Sequence, residues 1–155
     1  MTKTFFMVIL SFIFAGATHA EQLSGRVVGV KDGDTLAVLV KGREVRVRLA
    51  EIDAPEKKQP FGMVSKASLS LLTFGRTVTL EVQDKDRYGR TVARVFAGDS
   101  DVGLEQVQRG MAWAYRKYLR DPRLVEAEDE ARGRGAGLWS FGEPIPPWEW
   151  RRGLR

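Results

Sequence analysis

Three short stretches of this chain carry side chains able to act together. The first is Asp32-Gly33-Asp34-Thr35, with two carboxylates one residue apart. The second is Arg48-Leu49-Ala50-Glu51-Ile52-Asp53-Ala54-Pro55-Glu56, and the third is Asp86-Arg87-Tyr88-Gly89-Arg90. Alternation of Val45, Val47 and Leu49 with polar residues marks a strand whose opposite face carries Arg48. Pro55 halts that strand, and Asp53 and Glu56 fall where the chain turns away. A guanidinium beside two carboxylates is an anion clamp next to a metal ligand and a base.

Each stretch also has a plainer reading. Asp32-Gly33-Asp34 is a good hairpin turn, and its functional form needs Asp34 as a hard-cation ligand, with Asp32 behind it orienting water. Arg48 could instead pair with Glu44 or Glu51, and Glu56 could lie in a solvated loop. Tyr88-Gly89 is an ordinary turn unless Gly89 directs Arg90 at a ligand while Tyr88 lends its ring or hydroxyl.

Composition narrows the chemistry. The chain has 155 residues, a net charge of +5, no cysteine and a single histidine, His19. Lys3, the apolar run from Phe5 to Phe14 and Thr18-His19-Ala20 read as a secretory signal peptide, residues 1–20, cleaved after Ala20. Its removal takes His19, and with Lys3 it lowers the charge from +5 to +4. What remains has neither imidazole nor thiol, which excludes Ser-His-Asp and Cys-His nucleophiles and zinc held by nitrogen or sulfur. Carboxylates, arginines, tyrosines and an oxygen-loving cation are left. The modest positive charge suits a polyanionic partner. The expected product is a secreted or periplasmic monomer with no membrane association after the signal is lost.

The elements that must position these groups follow from periodicity. Gly25–Val30, Leu36–Val40 and a segment ending near Ile52 form a three-stranded meander joined by turns at Lys31–Asp34 and Lys41-Gly42. Pro60 opens a helix of about a dozen residues that Gly75 ends, with Val64, Ala67, Leu71 and Phe74 on its apolar face. Val78, Leu80 and Val82 mark a fourth strand and Thr91–Ala97 a fifth. Asp101 caps a short helix ending near Gly110, and Asp121-Pro122 starts a last helix that runs to Arg132–Arg134. The Pro-, Trp- and Arg-rich tail, residues 142–155, is expected to be loosely ordered. The fold class is mainly β with helices: a five-stranded Greek-key barrel of the OB type, residues 21–141, with about three helices.

Taken in order, DGDT, RLAEIDAPE and RYGR resemble the staphylococcal-type nuclease (thermonuclease) family, as do Gly110-Met111-Ala112-Trp113 and Gly137-Leu138-Trp139-Ser140. The resemblance implies an OB barrel and calcium-dependent hydrolysis of DNA and RNA that leaves 3′-phosphates. It implies that Asp34, Asp53 and the backbone carbonyl of Ala54 bind Ca²⁺, with Asp32 one step behind. Glu56 would orient or deprotonate water, and Arg48 and Arg90 would grip the phosphate. Arg87, Tyr88 and Tyr115 would hold the nucleotide, with Tyr118 an alternative to Tyr115. The segment from Glu56 to Ala67 is shorter than in the family archetype, and Gly103 stands where many relatives have Asn. The rival reading is a non-catalytic OB module that binds nucleic acid or a protein.

Overall fold

A computed structural model describes residues 21–154; the expected signal peptide and Arg155 lie outside the described residues. Five strands carry the alternating segments: β1 (Gln22–Val30), β2 (Thr35–Val40), β3 (Arg43–Leu49), β5 (Thr77–Lys85) and β6 (Thr91–Ala97). β1 pairs antiparallel with β2 and β5, β2 with β3, and β5 with β6. A parallel contact between β3 and β6 then closes the sheet into a mixed five-stranded barrel, so only the short flanking strands have an edge to guard. Inward-facing Val27, Leu36, Val38, Val47, Leu49, Val78, Leu80 and Val95 fill it.

The third strand ends earlier than its sequence suggests. β3 stops at Leu49, Glu51 adopts a left-handed backbone (φ 66°), and Ile52–Asp53 forms a separate two-residue strand, β4. β4 pairs with β8 (Trp113–Ala114), which ties the Asp53 corner to the C-terminal half of the chain. β7 (Ser100–Asp101) leads into α2 (Val102–Gln108), whose N-terminus Asp101 caps by accepting from the Gly103 and Leu104 amides at 3.1 and 3.2 Å. α3 (Arg123–Gly133) begins one residue later than Asp121-Pro122 suggests.

Helix α1 (Gly62–Thr73) is where expected, but it faces the other way. Val64, Ala67, Leu71 and Phe74 are exposed, Leu71 by 76%. The buried face is Gly62, Ser65, Ser68, Leu69 and Thr73. Close approach is the reason. A Cβ built on Gly33 would meet Ser65 Oγ at 1.9 Å, so the helix lies almost against the β1–β2 turn, where only small side chains fit. Their hydroxyls are bonded: Ser65 to the Met111 carbonyl (2.7 Å), Ser68 to Gln106 (2.7 Å) and Thr73 to the Leu69 carbonyl (2.7 Å).

The tail also departs from expectation. It contains a fourth helix, α4 (Pro147–Trp150), and is tied to the body of the protein. Gln59 donates from its side-chain amide to the Ile145 carbonyl at 2.6 Å, and the Trp148 ring lies against Tyr115.

Candidate active site

The β1–β2 turn presents Asp32 and Asp34. The Asp34 amide donates to Asp32 Oδ1 at 3.1 Å, an Asx-type turn that fixes the loop. From behind, fully buried Gln106 on α2 donates to the Gly33 carbonyl (2.8 Å) and the Ser65 carbonyl (3.2 Å), joining the turn to α1 and α2. Asp34 accepts from the Thr35 hydroxyl at 2.9 Å and from the Ala54 amide at 3.0 Å. The two acidic loops are thereby locked together across 20 residues of sequence.

Arg48 bridges them. In the sheet it lies opposite Thr35 on β2 and Val92 on β6, so its side chain sits between the DGDT turn and the loop that carries Arg90. Its guanidinium donates to Asp53 Oδ1 (3.2 Å) and the Leu49 carbonyl (3.2 Å), and lies 3.7 Å from Asp34 Oδ2. The pairing with Glu44 or Glu51 left open by the sequence is not the one adopted. Burial lowers the Arg48 pKa, but Asp34 and Asp53 outweigh it and hold the group firmly charged. For Asp53, which is only 2% exposed, burial and then Asp34 push the pKa up, against the pull of Arg151 and Arg48. Burial and the adjacent Asp34 push Asp32 up to about 6. Carboxylates crowded in this way favour a nearby positive charge.

The third motif forms a tight turn. Gly89 (φ 78°) reverses the chain, and Asp86 accepts from the Tyr88 and Arg90 amides (2.9 and 3.0 Å) and from Arg90 Nε (2.7 Å). Burial opposes ionisation of Asp86, but these bonds hold its carboxyl below the usual range. The guanidiniums of Arg87 and Arg90 lie 5.0 and 5.6 Å from the centre of the exposed Tyr88 ring.

All of these groups line one open cleft of about 1200 Å³: Asp32, Asp34, Arg48, Asp53, Ala54, Glu56, Arg87, Tyr88, Arg90 and Tyr115, with Tyr118 also on its wall. The donor set fits a hard cation, because every group at the Asp34–Asp53 corner able to hold a metal offers oxygen. Among the described residues no three acidic side chains stand close enough to hold a metal alone. A cation there would meet the two carboxylates, with water completing its shell.

Two contributors have no obvious motif. Buried Glu51, 4% exposed, accepts from the Arg120 and Asp121 amides (2.8 Å for the latter) and from Gln83 (3.3 Å). It thereby pins the segment bearing Tyr115, Lys117 and Tyr118 over the barrel, and its place inside RLAEIDAPE was the only hint. The other is Arg151. It donates to Asp53 Oδ2 (2.7 Å), Asp53 Oδ1 (3.3 Å) and Glu56 Oε1 (2.7 Å) from a tail that the sequence marked as loose. The Trp/Arg composition of that tail was its only signal.

Comparison with known proteins places the chain among nuclease-like sequences. A family model described as staphylococcal nuclease homologue matches residues 46–141. An "uncharacterized endonuclease" of Haemophilus influenzae is 47% identical over 146 residues, covering 94% of this chain and 82% of the relative. An "uncharacterized endonuclease" of Escherichia coli O157:H7 is 43% identical over 147 residues, covering 94% and 96%. A "micrococcal nuclease" of Shigella flexneri is 45% identical over 139 residues, covering 83% and 80%.

Proposed function

The chain belongs to the staphylococcal nuclease family and is a nuclease, and from that premise we propose that it hydrolyses phosphodiester bonds of DNA and RNA in a Ca²⁺-dependent reaction that leaves 3′-phosphates. The observation that carries this reading is the convergence of Asp34, Arg48, Asp53, Glu56 and Arg90 on one cleft. A module that only bound nucleic acid would gain nothing from lining its cleft with carboxylates that repel phosphate.

In this reading Asp34, Asp53 and the Ala54 carbonyl hold Ca²⁺. When bound, the ion supplies positive charge where the phosphate becomes more negative. Arg48 and Arg90 donate forked hydrogen bonds to the non-bridging oxygens of the diester and strengthen them as charge builds. Glu56 positions a water and takes its proton; the water oxygen bonds to phosphorus as the bond to the 5′ oxygen breaks. The 5′ oxygen leaves with the bonding pair and takes a proton from solvent, and phosphate stays on the 3′ side. Arg87, Tyr88 and Tyr115 line the path of the flanking nucleotide, where rings can stack on bases. The N-terminal signal peptide of this reading sends the enzyme out of the cytoplasm as a monomer.

Labelled DNA and RNA oligonucleotides incubated with the purified protein test the reading. Cleavage should require Ca²⁺, and the new ends should be 3′-phosphates. Undiminished cleavage in EDTA would remove the cation, and binding without strand breakage would favour the non-catalytic module.

A further inference from the structure

We propose that the C-terminal segment is a strap that parks Arg151 on Asp53 and Glu56, where it competes with the divalent cation for those carboxylates. This rests on the cation reading of the site given above.

The strap has separate anchors. Gln59, next to the Glu56 loop, donates to the Ile145 carbonyl at 2.6 Å. Two residues after Pro146, Trp148 stacks parallel to Tyr115 with an offset, ring centres 5.4 Å apart and planes at 7°. It also meets the edge of Trp113 at 6.4 Å. The single turn of α4 then turns the chain toward the cleft, with the Arg151 amide bonded to the Pro147 carbonyl at 3.0 Å. Arg151 is thus delivered by a built contact, with both of its terminal nitrogens engaged.

The competition follows from which atoms are taken. Arg151 occupies Asp53 Oδ2 at 2.7 Å and shares Oδ1 with Arg48, at 3.3 and 3.2 Å. Its other strong bond, 2.7 Å, is to Glu56 Oε1, the carboxylate assigned to water. A cation bound through Asp53 would bring its charge close to these guanidinium N–H groups, and like charges so near repel strongly outside bulk water. A guanidinium on Glu56 Oε1 also occupies one of the two oxygens that could accept from a water. Cation entry therefore releases Arg151 and frees Glu56. Because α4 links Arg151 to Trp148, it also loosens the ring that covers one face of Tyr115. The strap couples metal binding to opening of the nucleotide-binding wall.

Calcium titrations by calorimetry compare the parent protein with Arg151→Gln, Arg152→Gln and Trp148→Ala. Arg152 is exposed and adjacent, so its variant controls for the loss of one positive charge. Arg151→Gln should bind Ca²⁺ about tenfold tighter than Arg152→Gln, the scale expected when a charged hydrogen-bonded competitor is removed. Trp148→Ala keeps every charge and should shift affinity in the same direction. In the parent protein, tryptophan fluorescence should change as Ca²⁺ binds. Equal or weaker Ca²⁺ binding by Arg151→Gln than by Arg152→Gln would overturn the strap while leaving the nuclease reading intact. Absence of Ca²⁺ binding in all four proteins would overturn the cation reading, and the strap with it.

Discussion

Replacing Arg48 by lysine separates the charge of this residue from its shape. The arginine is held between strands β2 and β6, its side chain 14% exposed, with donors on Asp53 and the Leu49 carbonyl and with Asp34 3.7 Å away. Lysine keeps the positive charge against Asp53 but offers a point where arginine offers a planar fork. Stability should therefore fall by only about 1 kcal/mol, the scale of one net hydrogen bond. Arg48→Ala should cost roughly 3 kcal/mol, the low end for a broken buried pair, because Arg151 still covers Asp53. Catalysis should respond the other way. Loss of one preorganised donor to the developing charge costs about 2.7–4 kcal/mol, so Arg48→Lys should turn over about 10²–10³-fold more slowly. The assay is kcat on a labelled oligonucleotide with saturating Ca²⁺, read beside urea unfolding in EDTA. A lysine variant turning over within about threefold of the parent would refute the placement of Arg48 on the phosphate.

Further consequences concern stability. Asp32 has its carboxyl raised to about 6 by burial and by Asp34, from an ordinary 3.8. Between those values the folded state binds more protons than the unfolded chain, so stability is lost as pH rises through that window. Asp32→Asn retains an acceptor for the Asp34 amide and should gain about 1–3 kcal/mol at pH 8 in EDTA, after discounting for partial exposure, but nothing below about pH 4. An equal gain at both pH values in urea melts would refute that origin. Gln106→Leu strands the Gly33 carbonyl and the Ser68 hydroxyl and removes a second bond to the Ser65 carbonyl, and should cost about 2–4 kcal/mol. A loss below about 0.5 kcal/mol in the same melt would show that this hub is dispensable. Leu71→Lys, on the exposed face of α1, should leave stability within about 0.5 kcal/mol, whereas Leu69→Ala should cost about 2–5 kcal/mol. The reverse order would restore the helix face that the apolar spacing suggested.

Much of the barrel was legible because its signals are local. Alternation in Val45–Leu49 and Val78–Val82 has one solution once one face must be buried, and Asp101 announces its cap by residue type. The α1 face was misread because the apolar stripe and the small-residue stripe both repeat at helical spacing. Apolar spacing rewards burial area, but here closeness decided, and Gly33 against Ser65 left room only for hydroxyls. The break after Leu49 was hidden because Ile52 continues the apolar pattern, while its partner Trp113–Ala114 lies far along the chain.

Residue types alone narrowed the chemistry open to this protein. The chain has no cysteine, and on the reading that residues 1–20, with His19, are a signal peptide, only oxygen ligands and guanidiniums are available; their motifs resemble one family. Which carboxylate meets which guanidinium is fixed by contacts between segments far apart in the chain. Asp34 and Asp53 become neighbours through strand pairing, Glu51 turns inward to hold the cleft wall, and Arg151 arrives from 98 residues away. Such contacts depend on where the backbone places distant segments, and no local preference of Arg151 or Glu51 encodes it.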